Sequence, residues 1–170
     1  MVGMASKALF VNDVISPRQT VITGPDGYAL FRVADGSTME LFPNSKAEFR
    51  ETLGNWGDLL KLVLGRVRVQ IQPLAGRPNP NTVRTPTAVI SVRGTVRGTI
   101  FDVSVMDDKG TTLMKVEEGV VAVKNSMQRG KAVILHEGER VEVDPDQPLA
   151  PAVPAPSDWL LASVRPQAQL

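Results

Sequence analysis

Apolar and polar residues alternate along most of this chain, and this period of two constrains the fold more than any other feature. The clearest run is 66–71, where valine or isoleucine occupies every second position between arginine and glutamine. Similar alternation occurs at 101–105, 114–116, 121–123, 133–135 and 141–143. A period of two buries one face of a strand and leaves the other in water. The pattern therefore predicts β-strands for the body of the chain.

Acid–glycine pairs punctuate these runs. They are Asp26-Gly27, Asp35-Gly36, Glu118-Gly119 and Glu137-Gly138. Glycine adopts positive φ without steric cost, as tight turns between strands require. We therefore expect an all-β domain of short, mostly antiparallel strands with glycine corners, built either as a β-sandwich or as a compact β-solenoid-like stack.

Two segments interrupt the alternation. Residues 53–64 could hold a helical turn, but Gly54 and Gly57 make a loop that leads into a strand at least as compatible with the sequence. Residues 74–81 contain prolines and predict a loop between strands.

Composition divides the 170 residues into a start, one domain and a tail. Residues 1–7 lack the long apolar stretch of a secretion signal, so we expect a cloning remnant or alternative start from which a native leader has been removed. We assign the all-β domain to 8–144. Residues 145–170 hold six of the thirteen prolines and predict an extended tail. Within it, 157–165 predicts a short helix capped by Ser157, in a segment that is either a linker or a docking peptide anchored by Trp159.

The composition excludes several classes of function. The chain has no cysteine and a single histidine, His136, which removes thiolate chemistry and multi-histidine metal sites. Nineteen basic and eighteen acidic side chains nearly balance, which argues against a nucleic-acid binder, and no apolar run is long enough to enter a membrane. Motifs for nucleotide binding are also absent. We therefore expect a protein that is not an enzyme and needs no cofactor or metal.

The order of several segments resembles the FecR domain, over approximately residues 29–145. The most specific part is the string R-T-P-T-A-V…V-R-G-T…F-D-V, followed by V-x-E-G-x-V-x-V. The motif residues are Arg84, Thr85, Pro86, Arg93, Gly94, Thr95, Arg97, Gly98, Thr99, Phe101, Asp102, Glu118 and Gly119.

This resemblance implies an extracytoplasmic, all-β module that relays signals by binding proteins. In sigma regulators of this type, the domain contacts the signalling domain of a TonB-dependent receptor in the outer membrane. We therefore expect a protein partner or self-association, with a structural role in an envelope assembly or carbohydrate binding as alternatives. Unlike in a complete regulator, we expect no anti-sigma region, transmembrane helix or appended receptor-contacting domain within these 170 residues, which could be excised from such a regulator.

The V-R-G-T motif stands twice in tandem, at 92–95 and 96–99. Four extra residues within a strand would leave the inward and outward faces downstream unchanged, because four is even. The two glycines equally favour a bulge or loop. Either copy could occupy the family position.

The motif arginines and threonines support two interpretations. The guanidinium groups and hydroxyls could bind a carboxylate or a sugar. Alternatively, each arginine pairs with a carboxylate such as Asp102 or Glu117 and fixes a turn. The glycines and proline of the motif set backbone geometry and favour the second interpretation.

Other polar and aromatic residues are also candidates for a site. Arg66 and Arg68 share a strand face and form either a partner-contact patch or an ordinary solvated face. Trp56 either closes the core or stacks on a sugar ring, but five phenylalanines, two tryptophans and one tyrosine are few for a carbohydrate site. We expect His136 to be solvated and the acidic turns to hold no calcium, since no D-x-D-x-D-G loop is present.

Overall fold

All regular secondary structure in the described part of the chain is β-strand, which confirms the all-β expectation. The structure is a computed structural model, and it describes residues 6–49, 58–73, 81–93 and 97–155. Within these residues no helix is long and apolar enough to cross a membrane.

Each alternating run identified in the sequence lies within one of the thirteen strands in the described part of the chain. They are β1 (Thr20–Ile22), β2 (Ala29–Arg32), β3 (Thr38–Leu41), β4 (Lys46–Phe49), β5 (Asp58–Ile71), β6 (Thr82–Arg84), β7 (Ala88–Val92), β8 (Thr99–Val105), β9 (Thr112–Glu118), β10 (Val121–Asn125), β11 (Val133–Leu135), β12 (Glu139–Val143) and β13 (Val153–Pro154).

Strand β5 organises the molecule because it takes part in two sets of ladders. Its first half pairs with β4 and with β6, whereas its second half pairs with β3 and β8. Gly65 lies between the two halves with φ of +94°. A chain that changes partners along one strand produces a curled sheet, here a half-barrel, rather than a flat one.

We call the strands around each part of β5 the first and second half-sheets. The first half-sheet has the order β11-β10-β7-β6-β5-β4-β1, and the second has the order β13-β12-β9-β8-β5-β3-β2. Among the described strands only β5 and β6 pair in parallel. The mostly antiparallel expectation agrees with this pattern, and the choice between a sandwich and a solenoid stays a prediction.

The core is one hydrophobic cluster supplied by both half-sheets. Leu60, Leu62 and Ile90 come from the first, and Val69 and Phe101 from the second; all are at most 1% exposed. Each belongs to the inward set of an alternating strand, so the period of two places the charged residues of the same strands on the outer face.

Three of the four acid–glycine corners have the expected backbone. Gly36, Gly119 and Gly138 have positive φ, whereas Gly27 turns the chain without it. Part of the proline-rich segment is ordered in the sheet, since β13 pairs with β12.

The helix predicted at 157–165 lies outside the described residues, as do the first five residues. The domain boundaries therefore stay predictions.

Candidate docking surface

One row of directly opposed residues crosses the outer face of the second half-sheet. From β3 to β12 it reads Glu40, Arg68, Asp102, Lys115 and Arg140, each opposite the next in the strand register. We call these five residues the outer-face charge row. The first three neighbouring pairs join opposite charges, which stabilises a sheet and fixes its register, whereas Lys115 and Arg140 carry like charges.

Asp102 is the centre of the ion pairs on this face. Its two carboxylate oxygens accept hydrogen bonds from Arg66 Nη2 at 3.1 Å and Arg68 Nη1 at 3.3 Å. The other terminal nitrogen of Arg68 donates to Glu117. Arg68 therefore joins two acids on two different strands, as the forked guanidinium geometry allows.

The middle of the row is withdrawn from solvent although it faces away from the hydrophobic core. Asp102 is 2% exposed and Lys115 is 1% exposed. Burial lowers the pKa of the Lys115 ammonium and nearby Arg68 lowers it further, while the charges of Asp102 and Glu117 oppose the shift. Asp102 and Lys115 are thus the desolvated centre of the row, whereas Glu40, Arg68 and Arg140 stay partly exposed.

Aromatic rings border the network near β2. The guanidinium of Arg66 lies 4.3 Å from the ring centre of Phe42, a cation–π geometry. Tyr28 meets Phe42 edge-on, with ring centres 6.0 Å apart. Partial burial raises the pKa of the Tyr28 hydroxyl, and the charge of Glu40 and a hydrogen bond to it raise it further. Tyr28 and Glu40 therefore connect the charge row to the sheet edge.

The R-T-P-T motif forms a buried hydroxyl cluster instead of an open site. The Oγ1 atoms of Thr85 and Thr87 lie 2.7 and 2.9 Å from Thr112 Oγ1. Thr87 Oγ1 also donates to the carbonyl of Gly110 at 2.6 Å, and Thr85 Oγ1 accepts the Ala88 N–H at 2.9 Å. These bonds fasten the turn between β6 and β7 to the start of β9.

The two V-R-G-T copies together span the connection from β7 in the first half-sheet to β8 in the second. The first begins at Val92, the last residue of β7, and the second ends at Thr99, the first residue of β8. A methyl group on Gly119 would come within 2.7 Å of Thr99 Oγ1 and 2.8 Å of the Gly98 carbonyl oxygen. Gly119 therefore lies against Gly98 and Thr99 of the second V-R-G-T copy. This close approach leaves no room for a side chain at position 119.

The arginine partners differ from those expected. Arg84 Nε donates to both oxygens of Asp58, at 2.9 and 3.0 Å, so this motif arginine pairs with a carboxylate other than the examples Asp102 and Glu117. Those two acids pair with Arg66 and Arg68 instead, because β5 adjoins β8 in the register.

The remaining candidate residues are dispersed. Gly94, Thr95, Trp56 and Trp159 lie outside the described residues. Arg93 follows β7 and Arg97 lies in an exposed turn. The exposed side chain of His136 lies 3.0 Å from a Glu139 oxygen. Among the described residues, no group of three or more acids and histidines is placed to hold a metal ion.

Sequence reasoning identifies Arg68 and Asp102, together with the neighbouring Arg66, but misses Glu40, Lys115 and Arg140 as members of the row. Their polar positions within alternating strands are the available signal. Recognising the row needs the pairing of β8 with β9 and of β9 with β12, which a single sequence does not specify.

Comparison with known protein families finds a match for the sequence. The family model described as FecR protein matches residues 19–122. A search of curated proteins found no match.

Solved structures resemble the chain in fold. Two crystal structures, at 1.65 and 2.50 Å resolution, of a protein from Parabacteroides distasonis assigned as an anti-sigma factor are similar to it, each with a TM-score of 0.67. They share 15% and 16% sequence identity with it, and each match covers 86% of this chain. The chain spans 64% of the length of those proteins.

Proposed function

Because the chain belongs to the FecR family, we propose that it is a noncatalytic protein-interaction module that acts outside the cytoplasm in bacterial envelope signalling. The family match over residues 19–122 carries this proposal. The fold shared with proteins assigned as anti-sigma factors supports it. The partner would be another envelope protein, and by family resemblance the signalling domain of a TonB-dependent receptor.

The outer face of the second half-sheet is the contact surface that we propose. Its arginines and acids neutralise one another through Asp102 and Glu117. The buried Asp102 fixes the positions of three charged groups that stay partly exposed, Arg66, Arg68 and Glu117. These groups would select a partner by charge complementarity, since a mismatched partner leaves charges unpaired. The same pairing leaves these groups engaged with one another, which suits recognition better than reaction.

Site-specific photocrosslinking in the native cells tests the proposal. Benzoylphenylalanine would replace Gln70, an exposed residue on this face of β5, and in a control Lys131, an exposed residue before β11. We expect the Gln70 position to capture one discrete envelope protein, identified by mass spectrometry, that the Lys131 position does not capture. Absence of an adduct in the envelope fraction, or equal capture at both positions, would contradict the proposal.

A further inference from the structure

Strand β2 ends the second half-sheet and exposes backbone groups. It pairs with β3 and with no other described strand. The Val33 N–H donates to the Ser37 carbonyl at 2.9 Å, so this pair is hydrogen-bonded. Bonded and non-bonded pairs alternate in an antiparallel ladder, which directs the N–H and C=O groups of Leu30 and Arg32 away from β3. No described residue bonds these groups, which therefore form a vacant half-ladder within the described part of the chain.

The side chains at the same two positions are exposed to solvent. Leu30 is 54% exposed, and Arg32 is exposed without an ion pair to any described acid. Both lie on the outer face, where Leu30 is opposite Glu40 at the β2 end of the outer-face charge row. An apolar and a cationic side chain therefore stand beside the vacant backbone groups.

The other described edge strands are shorter. Strands β1 and β11 have three residues each, and β13 has two residues, including Pro154, which cannot donate a backbone hydrogen bond. Proteins commonly protect edges with lysine, proline or a bulge. The four residues of β2 include no lysine or proline, and its ladder with β3 has no register shift.

We propose that β2 accepts an extended segment of the protein partner by strand addition, with an acidic side chain opposite Arg32 and an apolar one opposite Leu30. This inference rests on the proposed function and names the surface it uses. Residues two apart on a strand share a face, so one partner strand can present both side chains to the outer face.

A second copy of this chain fits the edge less well. Antiparallel pairing of two β2 strands centred on Phe31 would join the free backbone groups of Leu30 to those of Arg32 in the other copy. Each arginine would then face a leucine and remain without a counter-ion. Charge complementarity therefore favours an acidic segment from a different protein.

The test uses short capped threonine peptides with a glutamate and, two positions later, a valine, the order that antiparallel pairing requires. NMR hydrogen exchange on the whole chain would follow the amides. We expect added peptide to slow exchange at Leu30 and Arg32 and to leave the already bonded Phe31 amide unchanged. Replacing the glutamate with lysine should weaken binding about fivefold, since the cross-strand pair becomes repulsive.

Two variants separate backbone from charge. Leu30→Pro removes an outward N–H without touching the β2–β3 bonds and should abolish binding, whereas Ile22→Pro, the matched change on edge strand β1, should not. Arg32→Glu should reverse the preference, so that the lysine peptide binds more tightly. Exchange at Leu30 and Arg32 that stays unchanged near the peptide's solubility limit would overturn the inference. Binding that survives Leu30→Pro in a folded chain would also overturn it.

The two proposals can fail separately. If the protein captured through Gln70 binds the Leu30→Pro variant as tightly as the native chain, strand addition is wrong and the interaction module stands. If no envelope protein is captured but the glutamate peptide still protects β2, the proposed function is wrong and the edge assignment stands.

Discussion

Asp102 holds two arginines in place while almost wholly buried, with Arg66 and Arg68 each within 3.3 Å of its oxygens. Asp102→Asn would leave these cations short of a counter-charge in a desolvated setting. We expect a loss of about 3 kcal/mol in the free energy of unfolding, measured by urea titration. Glu142→Gln, an exposed acid on β12, should change it by less than about 0.5 kcal/mol. A loss below about 1 kcal/mol for Asp102→Asn would contradict the assigned network.

Lys115 makes stability depend on pH in a defined direction. Burial lowers its pKa below the ordinary 10.5, so the folded chain releases this proton before the unfolded chain does. The unfolded state then binds more protons, and stability rises with pH between the folded pKa and 10.5. We expect Lys115→Met to be about 1 kcal/mol more stable at neutral pH, because Asp102 keeps both arginines, and this advantage should shrink as the pH rises.

Urea unfolding at neutral and alkaline pH measures this difference. Lys124→Met, which changes an exposed lysine on β10, provides the control and should show no comparable pH dependence. A Lys115→Met advantage that grows with pH would show that the sign is wrong.

The buried cluster of Thr85, Thr87 and Thr112 should stabilise the folded state. Thr112→Val keeps the shape but removes the hydroxyl that Thr85 and Thr87 both contact. Because buried hydroxyls would lose a partner, we expect the midpoint of thermal unfolding to fall, with about 2 kcal/mol lost. Thr20→Val on the exposed edge strand β1 serves as the control. Equal effects from the two variants would argue against the cluster.

The sequence predicts the residue types of the site better than their partners. Arg66 and Arg68 are identifiable because they alternate with buried valines, and Glu117 and Asp102 are the expected acceptors. The motif arginine Arg84 pairs with Asp58 instead of these acids, because pairing depends on strand order. Asp102 is opposite Arg68 through the contact of β8 with β5, which are separated in the chain by β6 and β7.

At the scale of elements, Gly65 allows one strand to serve both half-sheets. A methyl group built there would lie 2.1 Å from Ser45 Oγ and 2.5 Å from Ser45 Cα, at a positive φ that alanine resists. Gly65→Ala should therefore cost about 4 kcal/mol, from backbone strain and overpacking together. Gly130→Ala has nothing within 4 Å of the added carbon and should be nearly neutral.

Urea titration of Gly65→Ala and Gly130→Ala measures the free energy of unfolding of each variant. If Gly65→Ala retained native stability, the close contact with Ser45 and the role of Gly65 as the pivot of β5 would both be wrong.

The elements themselves are largely predictable because alternation and glycine corners are local signals. Strands β8, β9 and β10 contain the runs 101–105, 114–116 and 121–123, and extend them by two residues at one or both ends. The continuation of β5 upstream to Asp58 is less clear, since 58–64 lacks strict alternation. The parallel pairing of β5 with β6 has no local signature at all, because it depends on distant contacts.

At the scale of the molecule, one hydrophobic core supports two outer faces of different character. The first half-sheet presents Lys61, Arg84 and Lys124 with Asp58 on Arg84, whereas the second presents the interlocked charge row. The charge row and the vacant edge of β2 belong to the same half-sheet. Both features of the proposed contact surface therefore lie on the second half-sheet.

Hydrogen–deuterium exchange of the chain, alone and with the protein captured through Gln70, tests this placement most directly. We expect binding to slow exchange in β2, β3 and the second half of β5, while exchange in β10 and β11 stays unchanged. Protection confined to β10 and β11, with β2 exchanging as freely as before, would contradict it.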